Sequence, residues 1–355
     1  MFRTRHEDME SFDYLASYHF KSQFLFPYYG PSLIDVVNQP LPANFMKTKT
    51  KRAPILWIAR NCQASSARQL YVQELMKYVN VDSYGTCLNN KPFPDDKSRL
   101  ELMAEYKFYL AIENANCDNY VTEKLFDTFL QSAVPIVDGP ESYDGFIPTK
   151  HSVVRMDTYP DPRDLATYIK YLDSNDTAYL EYLSFRKPAI SGSIREDLEP
   201  SFVGNWTDKD FVNQRSSWCS VCRGVAPIWL SRQDPSFKYA ETDRSQRFLT
   251  DTSCMTTAKW EYISNGPPFI APWQPTSQNK TKLQTKNSPQ PNISPPTNTH
   301  WAESTYMDAA DGTDGSRITA LWTSELMLCM TFLAFAVWMV YRRKYAPRLR
   351  SPSPA

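Results

Sequence analysis

The chain has 355 residues, with 39 Lys plus Arg against 39 Asp plus Glu and a formal net charge of zero. That length accommodates two domains, or one domain with appendages. The balanced charge argues against a nucleic-acid protein, which ordinarily carries a net basic field.

Residues 1–48 read as short aromatic pieces that end in proline-rich loops at Pro27, Pro31, Pro40 and Pro42. Beyond them, strand-like and helix-like segments alternate. Ile55–Ala59 is predicted as a strand. Residues 65–77 have helical spacing of Leu70, Leu75 and Met76, with Ser65 or Ser66 as the cap. A short strand at Val79–Asp82 follows, then a helix at Lys97–Glu105 and a strand at Lys107–Ile112. A helix at Thr122–Leu130, an apolar strand at Val134–Val137, a strand at Ser152–Arg155 and a helix at Pro162–Leu172 complete the series. Such alternation with short connections implies a parallel sheet covered on both faces. Ligands of these sheets lie at the carboxyl ends of the strands, which selects the segments after Ala59, Glu113 and Val137.

From about Gly266 to Ser316 the chain is rich in Pro, Ser, Thr, Asn and Gln and reads as a flexible stalk. Ala320–Tyr341 is apolar except for Glu325. A helix of that length spans roughly 33 Å, enough to cross a bilayer core. Arg342, Arg343, Lys344, Arg348 and Arg350 follow it, whereas Asp308, Asp311 and Asp314 precede it. Positive charge stays on the cytosolic side, so the body is expected to be luminal. Sequons at Asn175, Asn205, Asn279 and Asn292 agree with that placement. So do the cysteines. Of seven, Cys329 lies in the apolar run, and an even number remains for disulfides or for free buried thiols. The opening residues have no apolar core of signal length. A luminal body therefore implies a longer N-terminus, the alternative being a tail-anchored protein with a cytosolic body.

The chemistry concentrates in Phe108–Lys124, FYLAIENANCDNYVTEK. A strand leads into Glu113-Asn114, then a loop, then Tyr120-Val-Thr-Glu-Lys124 opening a helix. A helix N-terminus favours anions through its free N–H groups and its dipole. Lys124 adds a point charge there. Arg68 opens the helix after the first strand, at the same sheet edge, and can grip phosphate with a planar fork. Together they could hold a diphosphate. Glu123 could accept bonds from two adjacent hydroxyls of a ribose, and Tyr120 could stack on a base or sugar. Taken singly, each residue is an ordinary cap, turn or surface residue; only the joint placement points to a site.

ENANCDNYVTEK resembles the signature of the α-1,3-fucosyltransferase family, glycosyltransferase family 10. Asn61-Cys62, Arg68 and Val81–Cys87 upstream match it too, as do Val134–Val137 and Tyr143–Pro148 downstream. Trp218-Cys-Ser-Val-Cys222 looks like the family's C-terminal Cys-x-x-Cys, and the stretch from Ser11 to Gly30 is similar to the segment that ends in Pro-Tyr-Gly. The resemblance implies an α/β, GT-B-like fold with two facing Rossmann-like domains. On that reading residues 1–48 are the remnant of an incomplete N-terminal acceptor domain. Residues 49–225 form the GDP-fucose-binding Rossmann-like domain, 226–319 the largely disordered stalk, 320–341 the transmembrane helix and 342–355 the cytosolic tail.

The resemblance also implies donor contacts at Arg68, Asn114, Tyr120, Val121, Glu123 and Lys124. The implied reaction inverts the anomeric centre, moving fucose from GDP-fucose to the 3-hydroxyl of N-acetylglucosamine in glycoprotein glycans. A single-pass Golgi membrane protein with a luminal catalytic domain is expected. The family's catalytic glutamate is expected before Met1, with Glu7 and Glu10 as the only nearby stand-ins. A chain without that base would be a non-catalytic membrane protein that keeps the nucleotide-binding fold. No cofactor is required, a divalent metal being at most stimulatory. Asp138 departs from the family, which usually has an uncharged residue there. Cys219 and Cys222 could be half of a zinc site, but no second Cys/His pair has suitable spacing. Disulfides among Cys62, Cys87, Cys219 and Cys222 are preferred.

Overall fold

A computed structural model of the chain describes residues 15–22, 24–25, 27–28, 33–188, 195–206, 218–234, 236–238 and 254–276. Ala16–Ser17 (β1) and Phe24–Leu25 (β2) form a small parallel pair. The main sheet is parallel throughout and has five strands: β3 (Ile55–Ala59), β4 (Val81–Gly85), β5 (Phe108–Ile112), β6 (Val134–Asp138) and β7 (Val154–Arg155). Their order across the sheet is β4-β3-β5-β6-β7. Every residue of β5 and β6 is buried. Central parallel strands are covered on both faces, so their sequences are apolar runs rather than alternating ones.

The chain leaves β3 toward β4 and then crosses back to place β5 on the other side of β3. The connections therefore diverge between β3 and β5. In open α/β sheets the crevice at such a reversal, outside the carboxyl ends of the strands, is where ligands sit. The connecting helices are α1 (Arg68–Leu75), α2 (Arg99–Ala104) and α3 (Glu123–Leu130); α4 (Pro162–Ser174) follows β7. Ser98 and Glu101 close α2 with a reciprocal capping box, and Asp161 caps α4 by accepting from the Arg163 amide.

Two predicted elements shift for physical reasons. The helix predicted at 65–77 is Arg68–Leu75, and neither serine caps it. Ala67 stands before the helix with φ of +56°. Ser65 and Ser66 instead donate from their hydroxyls to the carbonyls of Asn114 and Glu113, at 3.1 Å each. The strand predicted at Val79–Asp82 begins at Val81, because Val79 still donates to the Leu75 carbonyl and closes α1. It then runs to Gly85, in register with Ala59. Gly85 has φ of +95°, and a Cβ there would meet the Ala59 carbonyl oxygen at 2.4 Å, so only glycine fits.

The stalk expectation for 226–319 is corrected at 226–233 and 254–276, whereas 277–319 lie outside the described residues. A helix, Trp218–Gln233, runs across its predicted start. Residues 254–276 pack on the α/β domain, and Trp260 is fully buried against Tyr71 with ring centroids 4.5 Å apart. Low apolar content on average does not stop one indole from anchoring a segment.

The disulfide expectation is corrected too. Cys117 bonds to Cys254, 137 residues away, whereas Cys62 and Cys87 are free thiols. The Cys87 thiol is pushed up to about 12 by burial and by its hydrogen bond with the Cys62 thiol. The side chain of Cys219 lies outside the described residues. So do the predicted membrane helix, the basic tail, Glu7, Glu10, Asn279 and Asn292. Among the described residues no helix is long and apolar enough to cross a membrane. A second sheet domain facing the first is likewise not among them.

Candidate functional site

The crevice between β3 and β5 is built from two loops that are sewn together. The Ser66 amide donates to the Asn114 carbonyl at 3.0 Å, beside the two serine hydroxyl bonds already described. Arg68, in the first turn of α1, donates from Nη1 to the Ile112 carbonyl at the end of β5. Its guanidinium is buried, near the Trp57 ring, and its Nε has no hydrogen-bond partner. No carboxylate among the described residues forms an ion pair with it. Burial pulls its pKa down, while the charge of Glu113 acts in the opposite direction. Arginine nonetheless stays protonated. The result is a buried cation with no fixed counter-ion among the described residues.

Glu113 organises the other side. It accepts from the Thr122 amide at 2.9 Å, from the Thr122 hydroxyl at 2.8 Å and from Lys124 Nζ at 2.8 Å. Lys124 also donates to the Thr122 hydroxyl at 2.6 Å. Burial raises the Glu113 pKa, and the Lys124 charge and the Thr122 bonds only partly counter it. Glu113 thus holds Lys124 directly and reaches Arg68 through space. The first turn of α3 has no side-chain cap, because the Thr122 hydroxyl is spent on Glu113. A helix start without a side-chain cap, with Lys124 in its first turn, favours an anion.

Close approach of β6 completes the base. A Cβ on Gly139 would lie 3.0 Å from Glu113 Cγ and 3.1 Å from the Tyr143 hydroxyl. That hydroxyl, Asn114 Oδ1 and Asn116 Oδ1 are buried without partners. Burying an unpaired polar atom costs about 1–3 kcal/mol.

Of the sequence-predicted donor residues, Arg68, Asn114 and Lys124 gather at this crevice. Glu123 sits next to them with its side chain half exposed, 3.7 Å from Lys124 Nζ. Tyr120 does not offer an open ring. It is 7% exposed and packed against Tyr18 and Tyr28, with centroids 5.1 and 5.8 Å away. Val121 is buried in the core, and its amide donates to the Asn119 carbonyl, so its side chain faces no ligand.

Sequence reasoning left out Glu113, Thr122 and Asn116, although all three stand inside the motif. It noted Asp138 only as a departure from the family and not its partners: Asp138 accepts from Lys259 Nζ at 2.7 Å, Trp260 Nε1 at 2.8 Å and Asn116 Nδ2 at 3.0 Å. A charged residue ending an apolar strand was the available signal. Lys259 also reaches Asp157 at 3.3 Å, and Arg155 donates to Asp157 from Nε and Nη2. Among the described residues no group of three His, Cys, Asp or Glu is placed to hold a metal ion.

Of the two sequons described, Asn175 caps the helix Asp176–Glu181 at an exposed turn. Asn205 Nδ2 instead donates to the Gly145 carbonyl at 3.4 Å and lies 2.4 Å from where a Gly145 Cβ would stand.

A model described as glycosyltransferase family 10 (fucosyltransferase) C-term matches residues 46–233. The chain is 34% identical over 210 residues to a Xenopus laevis protein named GDP-fucose protein O-fucosyltransferase 3, covering 55% of this chain and 44% of that one. Proteins of the same name from Xenopus tropicalis and Gallus gallus are 39% and 38% identical, over 51% and 52% of this chain and 41% and 42% of theirs. The chain thus spans less than half the length of these curated relatives. A solved alpha1,3-fucosyltransferase with GDP-fucose is 26% identical over 42% of this chain and 44% of its own, with a TM-score of 0.36.

Proposed function

The chain belongs to glycosyltransferase family 10, the fucosyltransferases, and on that premise we propose that its crevice binds GDP-fucose and that the fucose is transferred to a hydroxyl on a protein acceptor. The observation that carries the reading is Arg68, a buried guanidinium with an unpartnered Nε and, among the described residues, no carboxylate ion-pair partner. A diphosphate supplies the missing negative charge. Lys124 and the uncapped start of α3 lie across from it, coupled to it through Glu113.

In the chemistry, the acceptor oxygen attacks the anomeric carbon, the bond to the diphosphate breaks, and the acceptor proton passes to a base. Negative charge grows on the leaving diphosphate. Preorganised donors that face such growing charge contribute most of the acceleration in reactions of this kind. Arg68, Lys124 and the α3 amides take that part. Glu123, half exposed at the rim, remains suited to ribose hydroxyls.

The curated relatives are named protein O-fucosyltransferases, which favours a serine or threonine hydroxyl as acceptor. The 3-hydroxyl of N-acetylglucosamine is the alternative acceptor. The disulfide and the sequons support a luminal body, and residues 320–341 with the basic tail support a Golgi membrane anchor. Resistance of the body to protease in sealed vesicles tests that placement.

The donor assay is calorimetric titration with GDP, with UDP as competitor and Lys124→Ala as control. Tight, GDP-selective binding that Lys124→Ala weakens supports the reading. An intact protein that binds no GDP ends it. Transfer from GDP-fucose is then followed on a folded protein acceptor and on an N-acetylglucosamine-terminated glycan. GDP binding with transfer to neither supports a nucleotide-binding protein without catalysis.

A further inference from the structure

Residues 254–260 lie beyond the span that the family model matches, which ends at residue 233. They nevertheless touch all three loops at the carboxyl edge of the sheet. Cys254 is covalently joined to Cys117, in the loop after β5. The Met255 amide donates to the Asn116 carbonyl in the same loop at 2.8 Å. The Trp260 amide donates to the Ser66 carbonyl, in the loop after β3, at 3.1 Å. The Trp260 indole and the Lys259 ammonium both donate to Asp138, where β6 ends. Asn116 closes the circuit by donating to Asp138 and to the Gly139 carbonyl, at 3.0 and 2.8 Å.

Ser66 stands two residues before Arg68, and Asn116 two residues after Asn114. The strap is therefore fastened immediately beside each donor-site residue of both crevice loops. Its anchors are rigid ones. Trp260 is fully buried, and Lys259 is enclosed between two carboxylates that are themselves almost wholly buried. Loops are ordinarily the mobile part of an α/β site. Here a covalent bond to the loop after β5 and the Trp260 amide bond to Ser66 in the loop after β3 remove that freedom, while the buried Lys259 ion pairs fix the strap to the end of β6 and to Asp157.

We propose that Cys254, Lys259 and Trp260 are positioning residues of the donor site, bracing the loops after β3 and β5 at the separation a nucleoside diphosphate requires. The proposal rests on the donor reading given above. None of the three touches the ligand; they act through Ser66, Asn116 and Asp138. Binding energy is realised only when the groups are already in place, so a slackened crevice loses affinity.

The test is GDP titration of the full chain, comparing wild type, the double variant Cys117→Ser/Cys254→Ser, and Lys259→Met with Lys259→Arg as the conservative rescue. Slackened loops raise the GDP Kd at least tenfold at unchanged stoichiometry, and Lys259→Arg recovers most of that loss. A strap that merely keeps the domain folded lowers the bound fraction at unchanged Kd, because the surviving molecules bind normally; that result overturns the proposal. Equal Kd and stoichiometry in all variants overturns it as well, with the donor reading left standing. A wild-type protein that fails to bind GDP removes the donor reading and this proposal together.

Discussion

Arg68→Met separates a residue kept for a ligand from one kept for the fold. Suppose Arg68 were structural, one partner of a buried ion pair. Its removal would cost about 3–5 kcal/mol, because the other charge would be stranded. No such carboxylate partner is present among the described residues. Arg68 has one strong bond, from Nη1 to the Ile112 carbonyl, and one orphaned donor, Nε. Losing a charge-assisted bond costs about 1.5–3 kcal/mol, and relieving a buried unpaired donor returns about 1–3 kcal/mol. The methionine also keeps apolar contact with Trp57. The two effects nearly cancel, so the ligand-free stability in urea should stay within about 1 kcal/mol of wild type. GDP binding behaves differently. Removing one or two charge-assisted bonds to phosphate costs about 3 kcal/mol, roughly two orders of magnitude in Kd. Urea unfolding and calorimetric titration of the same preparation read both quantities. A variant that loses more than about 3 kcal/mol of stability, yet binds GDP within threefold of wild type, would show that the arginine is a core brace and refute the reasoning.

Lys259→Met strands Asp138 and Asp157 but leaves each with other donors, so the loss should lie at the low end of the buried-pair range, about 3 kcal/mol. Urea unfolding measures it, and a loss under about 1 kcal/mol would show that the buried pairs add little to the fold. Burial acts to raise the Asp157 pKa, but the Arg155 bonds and the Lys259 charge hold it below the usual carboxylate value of 3.8. Its stabilisation is therefore complete above that unfolded value and is lost as pH falls through the lower folded one. Asp157→Asn should flatten the stability–pH profile below about pH 4, and an unchanged slope would assign acid unfolding to other carboxylates. Glu113→Gln should free Lys124 from its buried acceptor and weaken GDP binding, whereas Glu123→Gln, at the exposed rim, should change it by less. Peptide mass spectrometry of secreted protein should find glycan on Asn175 and little on Asn205, whose amide nitrogen is turned into the Gly145 loop; full occupancy at Asn205 would contradict that packing.

Much of the scaffold was legible because parallel strands are buried on both faces and show as apolar runs. Phe108–Ile112 and Val134–Val137 needed no context to be read. The motif from Glu113 to Lys124 marked the site because it couples a strand end to a helix start. The packing of Tyr120 was not legible, because sequence shows an aromatic residue near a candidate site but not which rings already cover it. Val121 was carried over with its neighbours, although alternation around the turn sends its side chain into the core.

The chain's own order of residues determined the parallel α/β sheet, the edge that carries the candidate site, and Arg68 and Lys124 as its candidate cations. Those features are local, set by burial pattern and by the chemistry of a helix terminus. Tertiary structure alone decided the counter-charges and the brace. Glu113 became the holder of Lys124 only when β5 and α3 met. Cys117 chose Cys254 over nearer thiols because residues 254–260 return to the sheet edge. No local pattern encodes a contact between residues more than a hundred positions apart; it exists only because Trp260 and Lys259 gain a buried niche that folding creates.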